Sequence, residues 1–227
     1  MNTAENTPGA AVLVFGDRRV PGRLNGLPTR RAEGPADSAA IDGAIGPPRR
    51  LVVVGADADL AAVLSRLLRA ERLDVEVAYV PRHRTPATRV YRLPAGRRAA
   101  RRAQHGTARR VPLIRDETGS VIVGRASWRP ADDRQLMHGE AVVDDTSLFD
   151  GDVAGVRIEP TLAMPGLRAS AQIGAHAGWR PWRKWVAGRA VQLGSTGVAV
   201  VRDGVPAPRA ARRSTFYRHI EGWLLVR

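Results

Sequence analysis

Apolar and polar positions in the first half of the chain alternate between two periods. Ala11-Val-Leu-Val-Phe15 is a short apolar run closed by Gly16-Asp17, which predicts a first strand. Residues 17 to 49 are rich in Gly, Pro, Arg and Ala, and predict a loop with one short helix near Ser38 to Ile45. Arg50-Leu-Val-Val-Val54, bounded by Pro48 and Gly55, reads as a parallel strand buried on both faces. Asp59 then precedes Leu60, Val63, Leu64, Leu67 and Leu68, the spacing of an amphipathic helix with an acidic N-cap. Asp74 to Val80 alternates and predicts a returning strand. Strand, helix and strand make a βαβ unit. Its turn, Gly55-Ala56-Asp57-Ala58-Asp59, stands where α/β sheets bind ligands. Pro94 to Gln104 predicts a basic helix, with Arg97/Arg101 and Arg98/Arg102 stacked four apart.

After Val111 the pattern changes. Short apolar pieces recur between Gly, Pro and Asp turns: 121–123, 141–143, 153–158, 190–193, 198–201 and 223–226. Regular short strands with turn signals predict an antiparallel lobe. The expected class is therefore α/β plus β. A disordered N-terminus (1–10) leads into an α/β lobe with parallel strands (11–115), followed by a β-rich lobe (116–227).

Charge sharpens this division. Between Val77 and Arg115 lie eleven arginines and no carboxylate, whereas Asp116 to Glu159 holds ten acids against four arginines. The net charge of +14 is almost wholly arginine, with Lys184 the single lysine. A coding bias would explain that composition but not the clustering. Sorted charge of this kind suits an anion-binding surface, because guanidinium forks match phosphate oxygens. The absence of cysteine excludes disulfides and thiolate chemistry. No apolar run reaches the ~18 residues of a membrane span, and the first eleven residues are polar. A cytoplasmic chain is expected, one that could also sit peripherally at a membrane.

The order of parts resembles the diacylglycerol kinase and NAD kinase superfamily. That family marks its first turn with Gly-Gly-Asp-Gly-Thr after an apolar strand. Here Val53-Val54-Gly55-Ala56-Asp57-Ala58-Asp59-Leu60 keeps Gly55 and Asp57 but carries alanine at the other glycine positions. The family's next strand ends in proline before a Gly-Thr-x-Asn-Asp loop. Here Val80-Pro81 leads into Arg82-His83-Arg84-Thr85-Pro86-Ala87-Thr88-Arg89. The family's late Asp-Gly-Glu turn is matched by Asp203-Gly204-Val205, with valine in place of the acid. The resemblance implies Mg²⁺ and ATP, with phosphoryl transfer to a lipid hydroxyl at a membrane surface. It further implies that Gly55 and Asp57 shape the nucleotide turn and that Asp203 serves catalysis. Arg82, Arg84 and Arg89, with the hydroxyls of Thr85 and Thr88, would hold phosphate. Alanine at 56 and 58 adds a Cβ where glycine lets backbone amides approach phosphate. The losses equally fit a non-catalytic descendant that binds acidic lipid, nucleic acid or a protein through its basic face.

Other clusters keep two readings. Asp144-Asp145 and Asp150-Gly151-Asp152 place four carboxylates within nine residues. They suit a solvated turn, or a metal site with Asp150 and Asp152 as first ligands. Trp179, Trp182 and Trp185, interleaved with Arg180, Arg183 and Lys184, suit packing on the second lobe, base stacking or a lipid interface. The five histidines fall at no metal-ligand spacing. The arginines from 82 to 110 would face solvent, pair with acids, or bind phosphate.

Overall fold

The computed structural model describes residues 9–46, 48–131, 135–173 and 184–227. The expected disordered terminus lies outside them up to residue 8, and Ala10 already belongs to a strand. Two units emerge, one running to Val111 and taking back Glu221–Arg227, the other Pro112–Ile220.

In the first unit the chain forms β1 (Ala10–Phe15), a single 3-10 turn at Gly22–Leu24, β2 (Thr29–Ala32) and α1 (Ser38–Ile45). Next come β3 (Arg50–Val54), α2 (Asp57–Arg69), β4 (Glu76–Tyr79), α3 (Pro86–Val90), α4 (Gly96–His105) and β5 (Ala108–Val111). The second unit holds β6 (Ile114–Asp116), β7 (Val121–Ile122), β8 (Ala126–Pro130), β9 (Met137–Val143), β10 (Thr146–Val153) and β11 (Gly155–Pro160). It continues with β12 (Leu167–Gln172), β13 (Val186–Gly188), β14 (Ala190–Arg202), β15 (Val205–Pro206) and β16 (Ala211–Arg218). The last strand, β17 (Trp223–Val226), belongs to the first unit again.

The first sheet runs β2-β1-β3-β4-β17-β5, with every neighbouring pair parallel except β17 and β5. The continuous apolar runs of β1 and β3 serve both faces, as parallel strands require. Val12, Val14, Val52 and Val54 meet the alanine stripe Ala99, Ala100 and Ala103 of α4. Their alternates Leu13, Phe15, Leu51 and Val53 are fully buried too. On α2 the periodic Leu60, Val63, Leu64 and Leu67 are buried, each contributing roughly 1.5–3 kcal/mol. That helix starts at Asp57, two residues before the expected cap, because the Asp59 carboxylate reaches back to the Ala56 N–H at 2.7 Å. Arg50 crosses from β3 to bond Glu76 Oε2 at 2.7 Å and the carbonyls of Ala103, Gln104 and Gly106 at 3.0–3.1 Å. A cation at the C-terminal end of α4 satisfies carbonyls that the helix cannot.

The second unit is an 11-stranded sheet, antiparallel at every pairing. Its core gathers Trp128, Phe149, Val156, Ile158 and Phe216, and the Trp128 indole N–H donates to Ser214 Oγ at 3.0 Å. Asp116 is fully buried there, accepting from Thr118 and Ser120 while pairing with Arg202.

One expectation needs correcting. The run 223–226, expected in the β-rich lobe, inserts between β4 and β5 of the first sheet. Trp223 is buried there, edge-on to Tyr91 with ring centroids 5.3 Å apart. A four-residue apolar run carries no local mark of which sheet it joins, and here pairing with β4 and β5 decides.

Candidate functional site

β1 and β3 are neighbours whose outgoing chains diverge. One leads to β2 through the 3-10 turn, the other through α2 to β4. This is a topological switch point, where open α/β sheets bind ligands beyond the carboxyl ends of their strands. A crevice of about 640 Å³ opens there, floored by Pro21, Val54, Val80 and Pro81. Arg18, Arg19, Arg82 and Arg97 line it, together with the carboxylate of Asp17.

The expected phosphate turn beside it is arranged differently. Asp59 is buried, with its carboxylate on the Ala56 N–H and 3.6 Å from the Arg18 guanidinium. Burial pushes its pKa up, against the lowering effects of that hydrogen bond and of Arg18. An internal anion therefore holds the helix amide that a ligand phosphate would otherwise take. Gly55 serves this contact, since a Cβ there would meet Asp59 Oδ2 at 2.6 Å.

Asp57 does not face the crevice. It is buried, accepting from Tyr79 Oη at 2.7 Å and from the Ala87 N–H at 3.0 Å, and so ties α2 to β4 and α3. Desolvation foremost, and then the Asp57 charge, push the Tyr79 phenol far above its ordinary range, which keeps it a donor. Thr85 and Thr88 cap α3 reciprocally. The Thr85 N–H donates to Thr88 Oγ1 at 2.8 Å, and the Thr88 N–H to Thr85 Oγ1 at 3.1 Å. These hydroxyls build the helix start rather than waiting for phosphate.

The arginines expected to act together are divided. Arg82 lines the switch-point crevice, whereas Arg84, Thr88 and Arg89 border a separate, larger cleft. Asp203 is also engaged. At a turn with φ of 46°, its carboxylate receives the N–H groups of Val123, Gly124 and Arg125 at 2.7–2.9 Å. The expected catalytic acid thus fixes the bend between β7 and β8.

Asp150 and Asp152 lie exposed on β10, opposite Glu140 and His138 of β9, and Asp152 pairs with His138 at 2.8 Å. Among the described residues no three metal-ligating side chains converge, here or elsewhere. Asp144 instead accepts from the Arg189 and Ala190 amides. Trp179 and Trp182 lie outside the described residues. Trp185 is stacked under the Arg168 guanidinium at 4.3 Å from its ring centre, a packing contact.

Arg18, Arg19 and Asp17 went unrecognised in sequence. Their signal was positional, since they directly follow the first strand, and the carboxyl end of an α/β strand is where ligand contacts gather.

Among the described residues no helix is long and apolar enough to cross a membrane. By sequence the chain matches no family model and no curated protein. Solved structures do match. A diacylglycerol kinase from Bacillus anthracis str. Sterne aligns with TM-score 0.66 at 9% identity, covering 96% of each chain. The NAD kinase of Archaeoglobus fulgidus, solved with ATP, aligns with TM-score 0.58 at 12% identity, over 96% of this chain and 93% of that one. Yeast NADH kinase complexed with NADH gives 0.57 at 9% identity, over 98% and 84%. A parallel-stranded mixed sheet followed by a large antiparallel one is common ground. This chain has the two-lobe fold of the diacylglycerol kinases and NAD kinases.

Proposed function

We propose that this chain binds a phosphate-bearing nucleotide at the carboxyl ends of β1, β3 and β4. One observation carries the reading: Arg18, Arg19, Arg82 and Arg97 meet around an apolar floor at the switch point. Guanidinium forks would take the phosphates, replacing amides of a glycine turn that Asp59 has closed. Nucleotide complexes of two solved relatives in fold support this choice of ligand. Mg²⁺ carried on ATP phosphates needs one or two protein carboxylates, and Asp17 would supply one. Transfer to a lipid hydroxyl is the activity that likeness to a diacylglycerol kinase suggests.

A second reading, binding without transfer, is favoured by the carboxylates. Asp57, Asp59 and Asp203 each already accept hydrogen bonds from the protein. In that case the fold presents a basic face to acidic lipid, nucleic acid or a protein.

Thermal unfolding with Mg²⁺-ATP against Mg²⁺ alone tests the first claim. At a hundredfold excess over Kd the native chain gains about 2.7 kcal/mol, and the R82A/R97A variant does not. An unshifted native melt refutes nucleotide binding. Transfer of labelled γ-phosphate to diacylglycerol then separates the readings: turnover establishes the kinase, and a shift without turnover establishes the binding module.

A further inference from the structure

A second cleft, of about 1270 Å³, opens along α4 within the first unit. The helix divides its cations. Arg97 turns to the switch-point crevice, whereas Arg98, Arg101, Arg102 and His105 all line the second cleft. These four sit at i, i+3, i+4 and i+7, one helical stripe, beside the alanine stripe that seats the helix on the sheet. Arg84, Arg89 and Arg92 from the segment around α3, and Arg227 after β17, complete the positive lining. Among the described residues no Asp or Glu side chain borders the cleft.

Among the described residues, six other arginines of this unit meet anions: Arg18 with Asp59, Arg49 and Arg50 with Glu76, Arg66 with Asp42, Arg72 with Asp74, and Arg110 with Glu221. Among the described residues, none of the seven cleft arginines has an ion-pair partner. Arg92 also occupies a left-handed position, φ 53°, just past the end of α3. Glycine is the favoured residue there, and an arginine side chain makes the conformation costlier.

We infer that this cleft is a second binding site, built for a compact ligand carrying two or more closely spaced phosphates. Like charges gathered in a concave wall repel one another and draw in a multivalent anion. Planar guanidinium groups then grip phosphate oxygens two at a time. The cleft is close in size to small-molecule sites. Among the described residues no aromatic side chain lines it to stack bases, which disfavours single-stranded nucleic acid. A soluble polyphosphate and a phosphorylated lipid headgroup share this chemistry. The site is independent of the nucleotide reading, because its lining shares no residue with the switch-point crevice.

Calorimetric titration of the full chain with inorganic tripolyphosphate, against orthophosphate as the single-phosphate control, tests the assignment. Tripolyphosphate is expected to bind at least tenfold more tightly than orthophosphate. The R98A/R101A/R102A variant is expected to lose at least tenfold in affinity, with an unchanged melting temperature as the check on folding. R89A/R92A is expected to weaken binding as well, and every comparison is repeated in an R82A/R97A background, so that phosphate held at the switch-point crevice is not counted. Equal affinity for the two anions, or full binding by R98A/R101A/R102A in that background, overturns the site. Flotation with phosphatidic acid vesicles against phosphatidylcholine vesicles separates the sources. Capture that is lost in the triple variant assigns the headgroup, and no capture assigns a soluble ligand. RNA binding tighter than tripolyphosphate, and abolished by the triple variant, overturns the compact ligand in favour of a polymer.

Discussion

At the residue scale, carboxylates decide what this site can be. Asp59 lies where the βαβ unit presents free amides, and it satisfies one of them itself. Gly55 is small because Asp59 folds back over it. G55A is accordingly expected to destabilise the chain by about 1–3 kcal/mol through overpacking. D59A should rescue part of that loss, since Oδ2 and Cγ go with the carboxylate while Cβ, at 2.8 Å from the added methyl, stays. A double-mutant cycle in urea measures the coupling; purely additive effects would show that Gly55 serves some other purpose. In sequence Asp59 looked like an N-cap and Asp57 like a nucleotide-turn residue. Both were recognisable as acids at a helix start. Which amide each would accept from was not, because that depends on side-chain direction.

At the element scale, three short pieces are tied by one acid. Asp57 at the start of α2 accepts from Tyr79 on β4 and from Ala87 in α3, a helix of 5 residues too short to stand alone. Y79F leaves that buried carboxylate short of a donor and is expected to cost about 1–3 kcal/mol. The loss should appear as a lower midpoint in urea with an unchanged slope; an unaltered midpoint would release Tyr79 from this role. α4 was legible as a basic helix from its arginine spacing. Its division between two clefts was not, because the alanine stripe that sets its rotation reads in sequence only as small residues.

At the scale of the whole molecule, the chain crosses between its two units twice, at 111/112 and at 220/221. β17 fills a place inside the first sheet, with partners on both sides. Trp223, Leu225 and Val226 are buried in it, which at roughly 1.5–3 kcal/mol each approaches the total stability of many domains. A chain ending at Ile220 is therefore expected to lose the cooperative unfolding of its first unit, visible as missing near-UV dichroism. A native-like melt from that truncation would contradict the topology. The expected domain division was close to the first crossing and blind to the second, because strand patterning records burial rather than neighbours.

Periodicity and charge alone determined that this chain has a parallel α/β portion followed by an antiparallel one, and that its cations are segregated. Those properties are local, since each residue's polarity reports its own exposure. The tertiary structure decided which cations share a cleft and which acids are already engaged. Asp203 meets amides nearly eighty positions away in sequence, and Arg82 parts company with Arg84. Hydrogen-bond partners and side-chain directions are fixed only when distant segments pack, and no spacing along the chain encodes them.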